Sequence, residues 1–193
     1  LVILDEITNT LKITRLLAIL LISMFTFTAC SDDDDDDHDE GTEEELITTV
    51  RYTLTNGNNI VTLTFSDPDG EGGNDGTYSI SGDLDENLTY TGLIELLNET
   101  ESPAEDITEE VKDEADEHEF FYTSDVSGLS ITKTDTDGNG NPLGVETSLT
   151  TGSAGSGTLT VILKHEPTKP NSGSSASAGG STDVEVSFNI TVQ

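Results

Sequence analysis

The chain has one cysteine, no tryptophan and only seven lysines and arginines among 193 residues. A single cysteine excludes an internal disulfide, so a folded domain must rest on a core, on bound ions or on both. The seven basic residues face 39 acidic ones, for a formal net charge of −32. Nucleic acids and anionic lipid surfaces are bound through Lys and Arg with release of counterions, so this balance excludes both as partners of the body of the chain. It suits solubility, and it suits cations. No Gly-x-Ser-x-Gly elbow, phosphate loop or dinucleotide fingerprint is present, and the missing tryptophan removes the commonest sugar-stacking surface. Carboxylates are too numerous to single out a glycosidase pair. The expectation is a protein that binds rather than catalyses.

What is present starts with an ordered leader. Lys12 and Arg15 precede an apolar stretch, Leu16 to Phe27, interrupted by Ser23 and Thr26, and the small residues after it end at Cys30. The stretch is shorter than the roughly 20 residues of a spanning helix. A basic flank, a short apolar core and a small-residue cleavage site make a secretory signal. This one ends on cysteine, as a bacterial lipoprotein signal does, so residues 1–29 are expected to be removed and Cys30 to carry lipid. Asp5 and Glu6 oppose the basic flank, and residues 1–10 therefore read as an over-extended start. Cys30-Ser31-Asp32-Asp33-Asp34 resembles the export signal of surface-exposed lipoproteins of the Bacteroidota. That resemblance implies a lipid-anchored protein of the outer membrane that faces the cell exterior. The other reading of the aspartates is a solvated spacer on a protein facing the periplasm. Residues 30–45 are nearly free of apolar side chains and are expected to form a disordered, self-repelling acidic tether.

From residue 46 to 193 the pattern becomes the period-two alternation of half-buried strands. Val50, Tyr52 and Leu54 form one run and Val61, Leu63 and Phe65 another, with Asn56-Gly57 as a hairpin turn between them. Further runs centre on Tyr78 and Ile80, Leu88 to Leu96, Phe120 and Tyr122, Leu129 and Ile131, Val145 and Leu149, and Leu159 to Leu163. Val184-Val186-Phe188-Ile190-Val192 is the cleanest of all. One segment differs: Ser102-Pro103-Ala104-Glu105 reads as an N-cap, a first-turn proline and a capping-box glutamate. Ile107, Val111, Ala115 and His118 then share one helical face, which predicts an acidic helix over 104–117. Residues 169–182, rich in Pro, Ser, Gly and Ala, read as a mobile loop. About nine strands with regular turn signals predict an all-β, two-sheet antiparallel β-sandwich of immunoglobulin-like type with one inserted helix.

Three stretches also resemble a group of small Bacteroidota lipoproteins: Glu44 to Val50, Asp116 to Tyr122 and Lys164 to Pro167. Members are often labelled with the type 1 periplasmic binding fold, which is built from repeated strand-helix-strand units. One helix among about nine strands predicts the sandwich instead. The resemblance implies a surface address and a role beside an outer-membrane nutrient or metal transporter.

Two constellations carry metal chemistry. Asp135, Asp137, Asn139 and Asn141, with Glu146 eleven positions after Asp135, follow the oxygen-ligand spacing of a calcium loop. The flanks read as strands rather than helices, so the other reading is a polar hairpin turn. The acidic turn Asp67 to Gly76 has the same residue types without a closing glutamate. His118 and His165, each beside carboxylates, offer ligands for Zn2+ or Cu2+ if the fold brings them together; otherwise they are packing and surface residues. His38 adds only loose affinity within the tether. The expected function is a non-catalytic binding module on the cell surface, accessory to a transporter. The alternative is a structural or adhesive module whose loops are stabilised by Ca2+.

Overall fold

The computed structural model describes residues 45–70, 73 and 75–193. Cys30, Ser31, Asp32, Asp33 and Asp34, with the leader and most of the tether, lie outside the described residues. Ten strands and two short helices follow in the order β1 (Thr49–Asn56), β2 (Asn59–Ser66), β3 (Thr77–Ile80), β4 (Thr89–Asn98), β5 (Glu105–Asp106), α1 (Ile107–Asp113), β6 (His118–Ser124), β7 (Ser130–Lys133), β8 (Glu146–Thr150), β9 (Gly155–His165), α2 (Ser175–Ala178) and β10 (Ser181–Val192). They make two antiparallel sheets. The larger runs β3-β2-β1-β4-β8-β7, with β5 added beside β4, and the smaller runs β10-β9-β6.

Alternation builds both layers. Val50, Tyr52, Leu54, Val61, Leu63, Tyr90, Ile94, Leu96 and Leu149 of the larger sheet meet Phe120, Leu159, Val161, Leu163, Val186, Phe188 and Ile190 of the smaller one in a single buried cluster. The side chains between them in sequence are mostly threonine, serine and charged residues. This is the inward-apolar, outward-polar pattern of an antiparallel sandwich. Asn56 pairs with Asn59 across a two-residue turn, and Gly57 takes φ +57° there, a conformation that favours glycine.

The expected helix over 104–117 is shorter at both ends, spanning Ile107–Asp113. Its cap is Asp106, whose carboxylate accepts from the Thr108 N–H at 3.0 Å, not Ser102. The reason is that Glu105 and Asp106 are extended and pair with Asn98 and Leu97 of β4, so no helix can start before residue 107. At the other end, His118 must already be extended to pair with His165. Of the expected apolar face, Ile107 and Val111 are buried on the helix, whereas Ala115 lies past its end and His118 opens β6; Thr108 Oγ1 accepts from the Leu96 N–H at 2.8 Å. Residues 169–182 are likewise more structured than a loop. They contain α2, bury Ala178, and send the Lys169 ammonium to the Ala115 carbonyl at 2.6 Å.

Gly92 in β4 marks a close approach. The Tyr52 phenol and Thr147 Oγ1 are 2.7 Å apart inside the sandwich, and burial pushes the phenol up to about 12 while Thr147 works in the other direction. A Cβ on Gly92 would lie 2.3 Å from Thr147 Oγ1 and 2.7 Å from the Tyr52 ring. Gly92→Ala is therefore expected to cost roughly 1–3 kcal/mol by overpacking, measured by urea unfolding. Gly138→Ala, with nothing within 4 Å of its new carbon, should change stability by less than about 0.5 kcal/mol.

Candidate metal centre

The register of β9 brings the two histidines together. His165 ends β9 and sits opposite both His118, the first residue of β6, and Ser181, the first residue of β10. His118 and His165 share the inner face with Phe120 and Leu163, because residues two apart on a strand point the same way. Their rings stack with centroids 4.6 Å apart. Both are buried, His118 completely and His165 to 7 % exposure.

Two carboxylates complete the group. The pairing of β10 with β9 shifts between Thr182 and Val184, so Asp183 is the extra residue of a β-bulge. Strict alternation would turn it away from the side that Val184 faces; the bulge re-aims it. Its side chain is fully buried, with Oδ2 3.9 Å from His118 Nε2. Glu45, just ahead of β1, places Oε1 2.9 Å from the same nitrogen with its side chain 6 % exposed. One ligand atom from each of Glu45, His118, His165 and Asp183 lies within 4.8 Å of all the others.

The backbone around this cluster is unusual. Glu166, directly after His165, has φ +50°, and Gly180, directly before β10, has φ +67°. A Cβ on Gly180 would lie 2.0 Å from the His165 carbonyl oxygen. Only glycine lets β10 enter at this height. A non-glycine residue in the left-handed region, as at Glu166, is the kind of local strain that collects at functional sites.

Hydrogen bonding defines the electronic state. His118 Nδ1 lies 3.2 Å from the Glu114 backbone carbonyl at the end of α1. A carbonyl only accepts, so Nδ1 carries the proton and donates, and Nε2, facing Glu45 and Asp183, is the nitrogen whose lone pair a cation would take in place of a proton. This arrangement of a backbone carbonyl behind a histidine is the outer support that metal-ligating histidines use. Glu45 Oε2 and His165 Nδ1 are buried without a hydrogen-bond partner, and the 2.9 Å contact of His118 Nε2 lacks the alignment of a hydrogen bond. His165 Nε2 faces the surface carboxylate of Glu117 at 3.8 Å. Two carboxylates and two imidazoles, out of water and with Glu45 Oε2 and His165 Nδ1 unmatched, form an anionic pocket that a divalent cation would neutralise.

Without an ion, the histidine serves as the counter-charge. Burial opposes the His118 imidazolium, but the Glu45 carboxylate, the Glu114 carbonyl and Asp183 outweigh it and hold the group above the usual histidine value. Burial likewise opposes the Glu45 carboxylate, and His118 outweighs it, leaving Glu45 below the usual range.

No family model, curated protein or solved structure matches the chain.

Of the residues singled out in the sequence, His118 and His165 are joined. Asp135, Asp137 and Asn141 of the calcium-loop set bond within their own loop. Asp135 accepts from the Gly144 and Val145 N–H groups at 2.7 and 2.9 Å. Asp137 accepts from the Asn139 and Asn141 N–H groups at 2.9 and 2.8 Å, and the Lys169 ammonium stands 3.4 Å away. Asn141 turns its amide nitrogen to Asp137 at 3.1 Å, and Glu146 opens β8 opposite Leu93. The two carboxylates close a polar turn, and Asp137 also meets Lys169. Among the described residues, the groups of three or more close His, Cys, Asp or Glu ligand atoms are the cluster above and exposed Glu117, His165 and Glu166. The Asp67 turn lies partly outside the described residues.

Sequence reasoning missed Glu45 and Asp183. Glu45 follows Glu43 and Glu44 and is indistinguishable from the tether. Asp183 occupies an outward position by strict alternation, and a bulge leaves no local signature beyond an acidic residue at the head of an apolar run.

Two outcomes are expected. In chelator, the His118 contribution to stability is complete below about pH 6.5 and fades as pH rises through its raised value, because the folded state holds the proton more tightly. The Glu45 contribution is complete above about pH 4.5 and is lost as pH falls through its lowered value. Urea midpoints of the metal-free chain should peak between those limits, and His118→Gln should flatten the alkaline side of the profile. Asp135→Ala should cost about 1–3 kcal/mol through its two unmatched backbone donors, while millimolar Ca2+ leaves the wild-type melting temperature unmoved.

Proposed function

We propose that the protein is a non-catalytic, lipid-anchored binding module of the outer-membrane surface that takes up a d-block divalent cation, with Zn2+ first. The observation that supports this most is the buried group Glu45, His118, His165 and Asp183, whose ligand atoms lie within 4.8 Å of one another. Two neutral imidazoles and two carboxylates carry two negative charges, matching one divalent ion. Imidazole nitrogen favours Zn2+, Cu2+ or Ni2+ over Ca2+ and Mg2+, and the absence of thiolate disfavours Cu+. A tetrahedral ion with bonds of about 2.0–2.2 Å sets its ligand atoms roughly 3.4 Å apart, so the wider separations would close around it and the 2.9 Å Glu45–His118 contact would open. Four protein ligands without an open position suit holding an ion rather than activating water on it.

The address rests on Cys30 and the acidic residues that follow it. Together they support a cation-binding domain held at the outer face of the cell, beside a transporter for a nutrient or metal. Co2+ titration of the purified chain should give the strong visible bands of a tetrahedral site, displaced by Zn2+, and His118→Ala or His165→Ala should abolish them. Absence of any Co2+ or Zn2+ binding at neutral pH rejects the cation reading. Cys30→Ala should release the protein from membranes, and protease treatment of intact cells reports which face it occupies.

A further inference from the structure

The four ligands are unequal in origin. His118, His165 and Asp183 come from β6, β9 and β10, the three hydrogen-bonded neighbours of the smaller sheet. Their positions are set by strand register, by the bulge at Asp183 and by the Glu114 carbonyl behind His118. Glu45 has none of these supports. It stands four residues ahead of β1, a strand of the larger sheet, and the first backbone donor of that segment to join the sheet is Thr48, whose N–H bonds Leu97 at 3.0 Å. Between them, Leu46 is 44 % exposed. The Glu45 side chain is nonetheless buried, one oxygen against His118 and the other without a partner.

We propose that Glu45 is a releasable fourth ligand, so that capture of the ion by His118, His165 and Asp183 and docking of residues 45–47 onto the domain are one coupled event. This rests on the cation reading of the same site. The half-site on the smaller sheet offers two nitrogens and a carboxylate with one position open, the arrangement of a site that can exchange its fourth ligand. Glu45 closes it. Because coupling between two binding events is reciprocal, an ion that gains from Glu45 must hold the 45–47 arm in place by the same factor. In sequence, the arm continues into the acidic segment that leads back to Cys30. A competing acceptor needs to displace only one carboxylate, from the side of the arm, to open a path for transfer.

The test uses the full chain with Zn2+ alone as probe. Hydrogen exchange of the wild type with and without Zn2+ should show new protection at the amides of residues 46–48 as well as at β6 and β9. Glu45→Gln, nearly isosteric, should weaken Zn2+ binding by at least roughly tenfold and should lose protection at residues 46–48 while keeping it at β6 and β9. Asp183→Asn should weaken binding without separating the two regions. If the wild type binds Zn2+ with unchanged exchange at residues 46–48, or if Glu45→Gln binds it as tightly as the wild type, the coupling is wrong and the cation site stands. If the wild type binds no Zn2+, the cation reading fails, and the coupling with it. The exchange measurement on the wild type decides the matter even if a variant fails to fold.

Discussion

Strand β9 is the element whose register organises the smaller sheet and, through it, the polar end of the sandwich. It pairs along its length with β10 and at its C-terminal two-thirds with β6. One face of that pairing sends Leu159, Val161 and Leu163 into the core; the next inward position on the same strand is His165. A slip of one residue in either ladder would turn the apolar row to solvent and part the histidines at the same time. The apolar requirement is far larger in free energy than anything the polar cluster contributes, since each buried aliphatic or aromatic side chain is worth about 1.5–3 kcal/mol. The core therefore enforces the register, and the polar cluster inherits its geometry from it.

How far this was legible in the sequence depends on whether a residue obeys the local period. Val50 to Leu54, Val61 to Phe65 and Val184 to Val192 alternate strictly, and their strands and inner faces follow from that alone. The apolar stripe Ile107, Val111 and Ala115 also identifies the helix. Its ends do not follow from local capping, because tertiary pairing overrides it: residues 105–106 add to β4, and His118 is claimed by β9. The histidine pair was visible as two residues without a meeting place, which only the ladder provides. Asp183 was hidden by the bulge and Glu45 by its acidic neighbours. The aspartates at 135 and 137 pointed the other way, since a spacing that suits an ion also suits a turn. What separates the two is where the backbone N–H groups and Lys169 fall, and that is a tertiary fact.

The charge of the chain sharpens the contrast between its two kinds of carboxylate. Most of the acidic side chains among the described residues are exposed and repel one another weakly through a screening length of about 8–10 Å. Glu45 and Asp183 are not. Buried beside each other's partners, they feel a far lower effective dielectric, and the cost of keeping both ionised falls on the two imidazoles or on a cation. A strongly acidic surface also raises the local concentration of cations around the domain, so the exposed charge and the buried pair favour the same kind of ligand by different physics.

The four cluster residues are spread along the chain from residue 45 to residue 183, on an arm and three strands that meet only in the finished sandwich. Contacts so distant in sequence form late, because the entropy of closing long loops must be overcome before they bring any gain. The cluster thus acts as a mark of completion. A chain with β10 not yet laid against β9 lacks Asp183, and one with β6 displaced lacks His118, so partly folded forms have no means of holding an ion with all four groups. Selectivity for the finished fold is built into the order in which the strands can assemble.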